Sequence, residues 1–271
     1  MNRLRLIYIL LIIILLLLPL VLTAIDIKFN IKLYADDNTE IPKFEGNIIQ
    51  FAKQYKNYFR SNYAGKNLFI SIYSNLRLTG LKESPLPNRI LLGTDNFLYY
   101  CEKEDGNPIV DYQGYIQLTE DDLESIYFSI KNFYEWLKQK KILFYLIVVP
   151  DKQSIYYDKL PEKIKKIDRT SADQIIDYLT KKGIPVIDLR QPLLEAKSLS
   201  NLDIYFKTDT HWNSLGAYIA YRSIIKNLLK YNIKIKPINI DIQIIDEKQI
   251  IKHGGTGELY VMMKLKNDPY I

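Results

Sequence analysis

Only two histidines occur in this chain of 271 residues, His211 and His253, and His211 stands two positions after an aspartate. The run Tyr205–Gly216 (YFKTDTHWNSLG) puts Asp209 and His211 just ahead of a predicted helix. An aspartate at that spacing can hold an imidazole in one tautomer and orientation. A general base that takes the proton of a serine hydroxyl needs both. The candidate chemistry is acyl transfer or ester hydrolysis, with Asp209 and His211 as catalytic residues. The rival reading of the same residues is an aspartate that caps the helix and a histidine that packs locally.

The nucleophile is unknown. Ser214 falls in the first turn of the predicted helix and reads as a helix-start residue. Ser154, Ser171, Ser198 and Ser200 lie in polar cap or loop settings without the strained strand-to-helix signature of an activated serine. His253 precedes Gly254-Gly255, a turn, and reads as structural. Two histidines, scattered acids and the single Cys101 do not make a metal site, so neither metal nor cofactor is expected. Lys152 follows a predicted strand end and reads as a turn residue outside the site.

The elements that must position Asp209 and His211 alternate between strand and helix. Residues Ile49–Leu78 are helical in part, with a break at Gly65, and Ser84–Asn88 is a connector. Arg89–Leu92 and Phe97–Tyr100 read as short strands around Gly93–Asn96. Thr119 is a predicted N-cap followed by Glu120, Asp121 and Asp122. From there Leu123, Ile126, Tyr127, Ile130, Phe133, Tyr134 and Leu137 share one helix face. Ile142–Val149 (ILFYLIVV) has the continuous apolar character of a strand buried on both faces of a parallel sheet. Ser171, with Gln174 three residues on, predicts a capping box, and Pro185–Leu189 returns as a strand, giving a βαβ unit. A helix over about 213–231 is expected to bury Ala217, Tyr218, Tyr221, Ile224, Ile225, Leu228 and Leu229, and Ile233–Ile251 reads as strands. The pair thus falls between the strand-like Ile204–Phe206 and a helix, where ligands bind in open α/β sheets.

Ahead of all this, Arg3 and Arg5 precede the almost wholly apolar Leu6–Ile25. At ~1.5 Å per residue the run can cross a hydrocarbon core of ~30 Å. It is longer than a signal-peptide core, and Leu22-Thr23-Ala24 lacks an A-x-A-like cleavage site, so a retained anchor is preferred over a cleaved signal. The arginines would stay inside and the rest of the chain outside. The net charge of +6 comes from lysines interleaved with acids. No basic block or RNA-binding signature is present, and no nucleic-acid partner is expected. One cysteine excludes an internal disulfide. The 22 tyrosines do not by themselves show sugar-stacking surfaces.

Several blocks in order carry a resemblance. They are Arg89–Tyr100 (RILLGTDNFLYY), Leu143–Tyr156 (LFYLIVVPDKQSIY) followed by Leu160-Pro161, Val186–Leu189, Thr208–Tyr218 (TDTHWNSLGAY) and Gly257-Glu258-Leu259. Together they resemble the alginate O-acetyltransferase family, the AlgJ/AlgX-type SGNH hydrolase-like proteins, over about Phe51 to Leu265. Glu258 stands where the family pattern has aspartate. The resemblance implies an α/β fold, a flavodoxin-like α/β/α domain with a parallel sheet, behind an N-terminal transmembrane helix. The division would be 1–25 anchor, 26–80 stalk and entry helices, and 81–271 the SGNH hydrolase-like domain, incomplete at its C-terminus.

The implied activity is acetylation of an exopolysaccharide or cell-surface polysaccharide through a Ser-His-Asp site, on the periplasmic side of the inner membrane. Asp209 and His211 would be the Asp and His. The serine block would follow Ile271, so the chain alone is expected to be inactive or nearly so. A membrane-bound O-acyltransferase would be the partner that supplies acetyl groups. The alternatives are a catalytically silent or truncated polysaccharide-binding homologue and a carbohydrate acetylesterase.

Overall fold

The structure is a computed structural model that describes residues 3–29, 42–63, 65–199, 201–230, 235–238 and 256–265. The chain divides into two compact units, Met1–Leu81 and Lys82–Ile271. The first is helical: α1 (Arg3–Phe29), α2 (Ile48–Asn62) and α3 (Lys66–Asn75), the last running into a short π-turn at Leu76–Gly80. Within α1 the window Arg5–Leu22 is long and apolar enough to cross a membrane by length and composition. Asn47 starts α2 by accepting hydrogen bonds from the N–H groups of Ile49 and Gln50 at 3.0 and 3.1 Å.

The second unit begins with the expected hairpin. Strands β1 (Ile90–Leu92) and β2 (Leu98–Tyr100) pair antiparallel, with Leu91 opposite Tyr99. A short α4 (Pro108–Gln113) leads to α5 (Glu120–Gln139), which is closed at its start by a capping box between Thr119 and Asp122. Strand β3 (Leu146–Val148), α6 (Lys152–Ile155), α7 (Ser171–Lys181) and β4 (Val186–Asp188) follow. Strands β3 and β4 pair in parallel, Ile147 opposite Ile187, with α7 on the crossover between them. Helices α8 (Arg190–Leu199), α9 (Ser214–Leu229) and α10 (Glu258–Met262) complete the unit. This is the mixed α/β architecture with a parallel pair that the βαβ pattern predicts.

Four expectations are corrected. The cap of α7 is Thr170, boxed with Asp173, rather than Ser171 with Gln174. Both pairs have the three-residue spacing, and the extended backbone falls at Thr170. Gln174 instead ties α7 to the preceding loop, accepting from the Leu118 N–H and donating to the Ile116 carbonyl, both at 2.9 Å. The apolar run at Ile142–Val149 is not buried on both faces: Ile142, Leu143, Ile147 and Val149 are exposed. Among the described residues only β4 flanks β3, and none of them covers the exposed part of the run. Phe133 is exposed rather than on the inward face of α5. Finally, α9 buries its N-terminal half (Leu215, Gly216, Tyr218 and Ala220), while Leu229 is exposed. The strands expected over Ile233–Ile251 lie outside the described residues, apart from 235–238, which form no strand; His253 and Ser200 lie outside them too.

The core joins the hairpin, α6, β4, α8 and the start of α9 through Phe97, Tyr99, Ile155, Tyr156, Leu189, Leu193, Ile204, Tyr205 and Leu215. Part of the tyrosine content is spent here. The Tyr99 hydroxyl donates to the Tyr156 carbonyl (2.6 Å) and that of Tyr205 to the Pro150 carbonyl (2.5 Å), while the Tyr156 hydroxyl accepts from the Ile204 N–H (2.8 Å). These bonds let large amphipathic rings fill the interior without leaving a polar tip unsatisfied.

Candidate functional site

Asp209 and His211 sit on a tight loop whose two legs are tied together. Tyr205 and Trp212 form an isolated antiparallel bridge where the sequence suggests a strand at Ile204–Phe206. Phe206 N–H donates to the His211 carbonyl (3.2 Å), and Asn213 N–H to the Ile204 carbonyl (3.1 Å). Asn213 then caps α9, accepting from the N–H groups of Leu215 and Gly216 at 3.0 Å each. Its amide also donates to the Asp203 carbonyl at 2.5 Å. Gly216 is needed because a Cβ there would strike the Ile204 carbonyl and Trp212. The loop is therefore clamped onto the start of α9.

Within it the carboxylate and imidazole meet. Asp209 Oδ1 is 2.7 Å from His211 Nδ1 and also accepts the His211 backbone N–H at 3.0 Å. Asp209 Oδ2 accepts the Glu258 N–H at 3.0 Å. Burial alone would raise the Asp209 carboxyl, but these bonds from Glu258 and His211 outweigh it and hold the group below its usual range. His211 is raised above 6.5, first by its hydrogen bond to Asp209. With the Asp209 side chain 17% exposed and that of His211 72% exposed, the pair has an anchored end and an open end. Nδ1 is committed to Asp209, which leaves Nε2 as the nitrogen that can take a proton.

Two residues complete the arrangement, and neither is legible as a site residue in the sequence. Lys152 is buried, 2% exposed, and its ammonium donates to the carbonyls of Phe206 (3.1 Å), Lys207 (3.0 Å) and Asp209 (2.6 Å). It also lies over the Tyr99 ring at 5.2 Å. Three acceptors use all three N–H groups of a charged lysine. Desolvation pulls its pKa down to about 7, against the pull of Asp209, Glu258 and Asp203. Rather than a turn residue, Lys152 is the clasp beneath the Asp209–His211 loop. The sequence signal is the P-D-K turn after the β3 run; what it hides is a reach to carbonyls 54 to 57 residues away.

Glu258 is the second. Its carboxylate accepts from the Thr210 N–H (3.1 Å) and from the Thr210 hydroxyl, and lies 3.8 Å from His211 Nδ1. Gly257 lets α10 lie this close, since a Cβ there would strike both the carbonyl and the hydroxyl of Thr208. Leu259 N–H donates to that same carbonyl at 3.1 Å. Asp209, His211 and Glu258 offer three ligand atoms within 4.8 Å of one another. A cation would have to displace N–H donors already seated on Asp209, so the arrangement suits an oriented acid–base pair better.

Of the serines weighed from the sequence, Ser214 is the first residue of α9, Ser171 the first of α7 and Ser154 part of α6, while the Ser198 hydroxyl donates to the Glu195 carbonyl at 2.7 Å. Among the described residues no serine hydroxyl is hydrogen-bonded to His211, whose ring meets Asp209 and Thr210.

Comparison with known proteins follows the same residues. Residues 90–268 match the family described as SGNH hydrolase-like domain, acetyltransferase AlgX. The chain is 29% identical over 140 residues to the probable alginate O-acetylase AlgJ of Pseudomonas fluorescens, covering 51% of this chain and 33% of that protein. It thus spans about a third of that relative's length. Among solved structures, the O-acetyltransferase domain of Pseudomonas putida AlgJ aligns at TM-score 0.41 and 20% identity, covering 56% of this chain and 50% of that one. Bacillus cereus PatB1 aligns at TM-score 0.40 and 25% identity, covering 56% and 46%. Through the match over residues 90–268, which takes in the hairpin, the βαβ unit and the Asp–His loop, this chain belongs to the AlgX-type SGNH hydrolase-like acetyltransferase-domain family.

Proposed function

We propose that this protein takes part in O-acetylation of an exopolysaccharide or cell-surface polysaccharide, with Asp209 and His211 as the orienting acid and the general base. The observation that carries it is the 2.7 Å contact between Asp209 Oδ1 and His211 Nδ1, with the imidazole open to solvent in an acetyltransferase-family domain. His211 Nε2 would take the proton of a serine hydroxyl as that oxygen attacks the acetyl carbonyl. The proton then passes to the group that leaves the acetyl donor. The sugar hydroxyl next attacks the acetyl ester on serine, giving its proton to His211, which returns it to the departing serine oxygen. Asp209 stabilises the imidazolium in between.

The apolar α1 supports a single-pass anchor with Arg3 and Arg5 on the cytoplasmic side and the domain on the periplasmic side. A membrane-bound O-acyltransferase partner would deliver the acetyl group. A reporter fused to the C-terminus that is active only in the cytoplasm would overturn this topology.

One observation favours a second reading, a polysaccharide-binding homologue without turnover: no serine hydroxyl bonds to His211 among the described residues. The test is full-length protein with an activated acetyl ester and an oligosaccharide acceptor, beside His211→Ala. Acetylated acceptor that disappears in the variant supports transfer; free acetate alone indicates an esterase. Absence of turnover at every pH, with acceptor still bound, supports the second reading.

A further inference from the structure

A cleft of about 270 Å³ meets the loop of the pair at Thr210, whose hydroxyl lies 3.4 Å from His211 Nδ1; Tyr100, Asp105, Pro108, Asp151 and Gln153 line the rest, with Tyr99 and Lys152 at its back. Thr210 lies between Asp209 and His211 in the chain, and Asp151 follows β3, so the cleft joins the catalytic loop to the carboxyl end of that strand.

Its charge is one-sided. Asp105 and Asp151 line it, Glu258 holds Thr210, and Glu102 accepts from the Tyr100 hydroxyl at 2.8 Å. The one cation on the wall is Lys152, whose three donors are already given to carbonyls. Arg89 is paired with Glu102 at 2.5 Å, and on the loop Lys103 and Glu104 offset each other. The acids also have acceptor capacity to spare. The single Tyr100 hydroxyl proton is shared between Glu102, which also has Arg89, and Asp105, which is exposed and can accept from a ligand in place of solvent. Asp151 is exposed to the cleft and accepts from Gln153 Nε2 at 3.1 Å; desolvation by the walls around it, with the charge of Asp111 adding to it, pushes its carboxyl up. A ligand here should bring hydrogen-bond donors and no further negative charge.

We infer that this cleft is the acceptor subsite and takes a sugar unit without a carboxylate, neutral or amino, whose hydroxyl and N–H groups are received by Asp105 and Asp151. The inference rests on the acetyl-transfer reading for the word acceptor. It goes beyond that reading in setting the substrate class: a uronate polymer, alginate included, meets like charge in this cleft.

The test is equilibrium binding of three tetrasaccharides to the full-length protein at low salt: β-linked glucosamine, its N-acetylated form, and mannuronate. The first two should bind about tenfold tighter than the third, with the gap shrinking at high salt. Asp151→Asn and the double variant Asp105→Asn/Asp151→Asn should narrow the gap in steps, with circular dichroism confirming that both are folded. A gain for glucosamine over its N-acetylated form marks attraction of charge; equal binding marks a neutral ligand held by hydrogen bonds. Mannuronate binding as tightly as the others, a gap unchanged in Asp151→Asn, or no binding of any tetramer overturns the inference. Because the readout is binding, a protein that follows this pattern without transferring acetyl groups keeps the subsite and loses the transferase reading.

Discussion

The loop at Asp203–Asn213 and the apolar side formed by α5 and β3 are built in opposite ways. Around the loop nearly every polar group is spoken for: Lys152 spans three carbonyls, Asn213 bonds both legs, and Asp209 receives three N–H groups. Along α5 and β3 the contacts are apolar and partly uncovered, with Phe133, Trp136, Ile142, Leu143, Ile147 and Val149 all exposed. The Asp209–His211 pair is thus held by directional bonds that fix a geometry, whereas the other region holds only shape-tolerant surface. Changes at the loop should therefore be costly and site-specific, and changes on the apolar side should be nearly silent.

The largest effect is expected at Lys152. Lys152→Met leaves the Phe206 and Asp209 carbonyls without a donor, while that of Lys207 keeps the Leu98 N–H; relief of the desolvation that pulls the lysine down offsets part of this, for a net loss of about 2–3 kcal/mol in denaturant unfolding. The same variant should move the His211 titration measured by NMR, because Asp209 loses the tie at its own carbonyl. A loss below about 1 kcal/mol would mean that water replaces the ammonium easily and that the loop is not clasped.

Gly257→Ala comes next. The added methyl must push α10 away from Thr208, and overpacking of this kind costs about 1–3 kcal/mol. The shift also withdraws the Glu258 N–H from Asp209 Oδ2 and the Glu258 carboxylate from Thr210. The His211 pKa should fall towards its ordinary value. A variant with both stability and titration intact would show that α10 does not support the pair.

How much of this was legible in the sequence follows the same divide. The D-x-H-W run could be read because both members of the pair lie two residues apart, and so could the Thr119 cap and the β1–β2 hairpin, which are local patterns. Lys152 and Glu258 could not be read, because their partners lie 48 to 57 residues away and nothing in a lysine after a strand says that it turns inward. The expectation for α9 held for Tyr218, in part for Ala217, Tyr221, Ile224, Ile225 and Leu228, and not for Leu229, for a related reason. Periodicity marks an apolar stripe, but the cap at Asn213 and the close approach at Gly216 decide that the first turns are the ones buried. For Ile142–Val149 the composition of a buried strand is present, and the covering neighbours on one side are not among the described residues.

A smaller effect should appear in the pH dependence of the pair. His211 has a raised pKa in the folded protein, so its contribution is fully present below 6.5 and is lost as pH rises through the raised value. Asp209 has a lowered pKa, so its contribution is present above 3.8 and is lost as pH falls through the lowered value. The stability difference between the wild type and His211→Ala should therefore be greatest between these limits and shrink above the His211 titration. With the imidazole largely in water the effect is modest, and melting curves across pH would resolve it. Where turnover is present, its acid limb should lie above 6.5, because only neutral His211 can accept a proton. A difference that grows steadily with pH would contradict the ion pair.

The smallest effect is expected on the apolar side, at Trp136. Its ring stacks with Phe133 at 6.2 Å between centroids and is 51% exposed, so half of its surface already meets water. Trp136→Glu gives up one partly exposed ring contact, and the new carboxylate is solvated on a helix surface. The change in stability should stay within about 0.5 kcal/mol, the usual range for a surface substitution. Solubility should improve, because exposed apolar clusters of this kind promote self-association. The comparison breaks if Trp136→Glu costs more than about 1.5 kcal/mol, since that would place the ring in a core with jigsaw packing. Sedimentation velocity separates the two causes. A destabilised monomer points to packing within the chain, and a dimer of the wild type that dissociates in the variant points to a face that copies of the protein cover for one another.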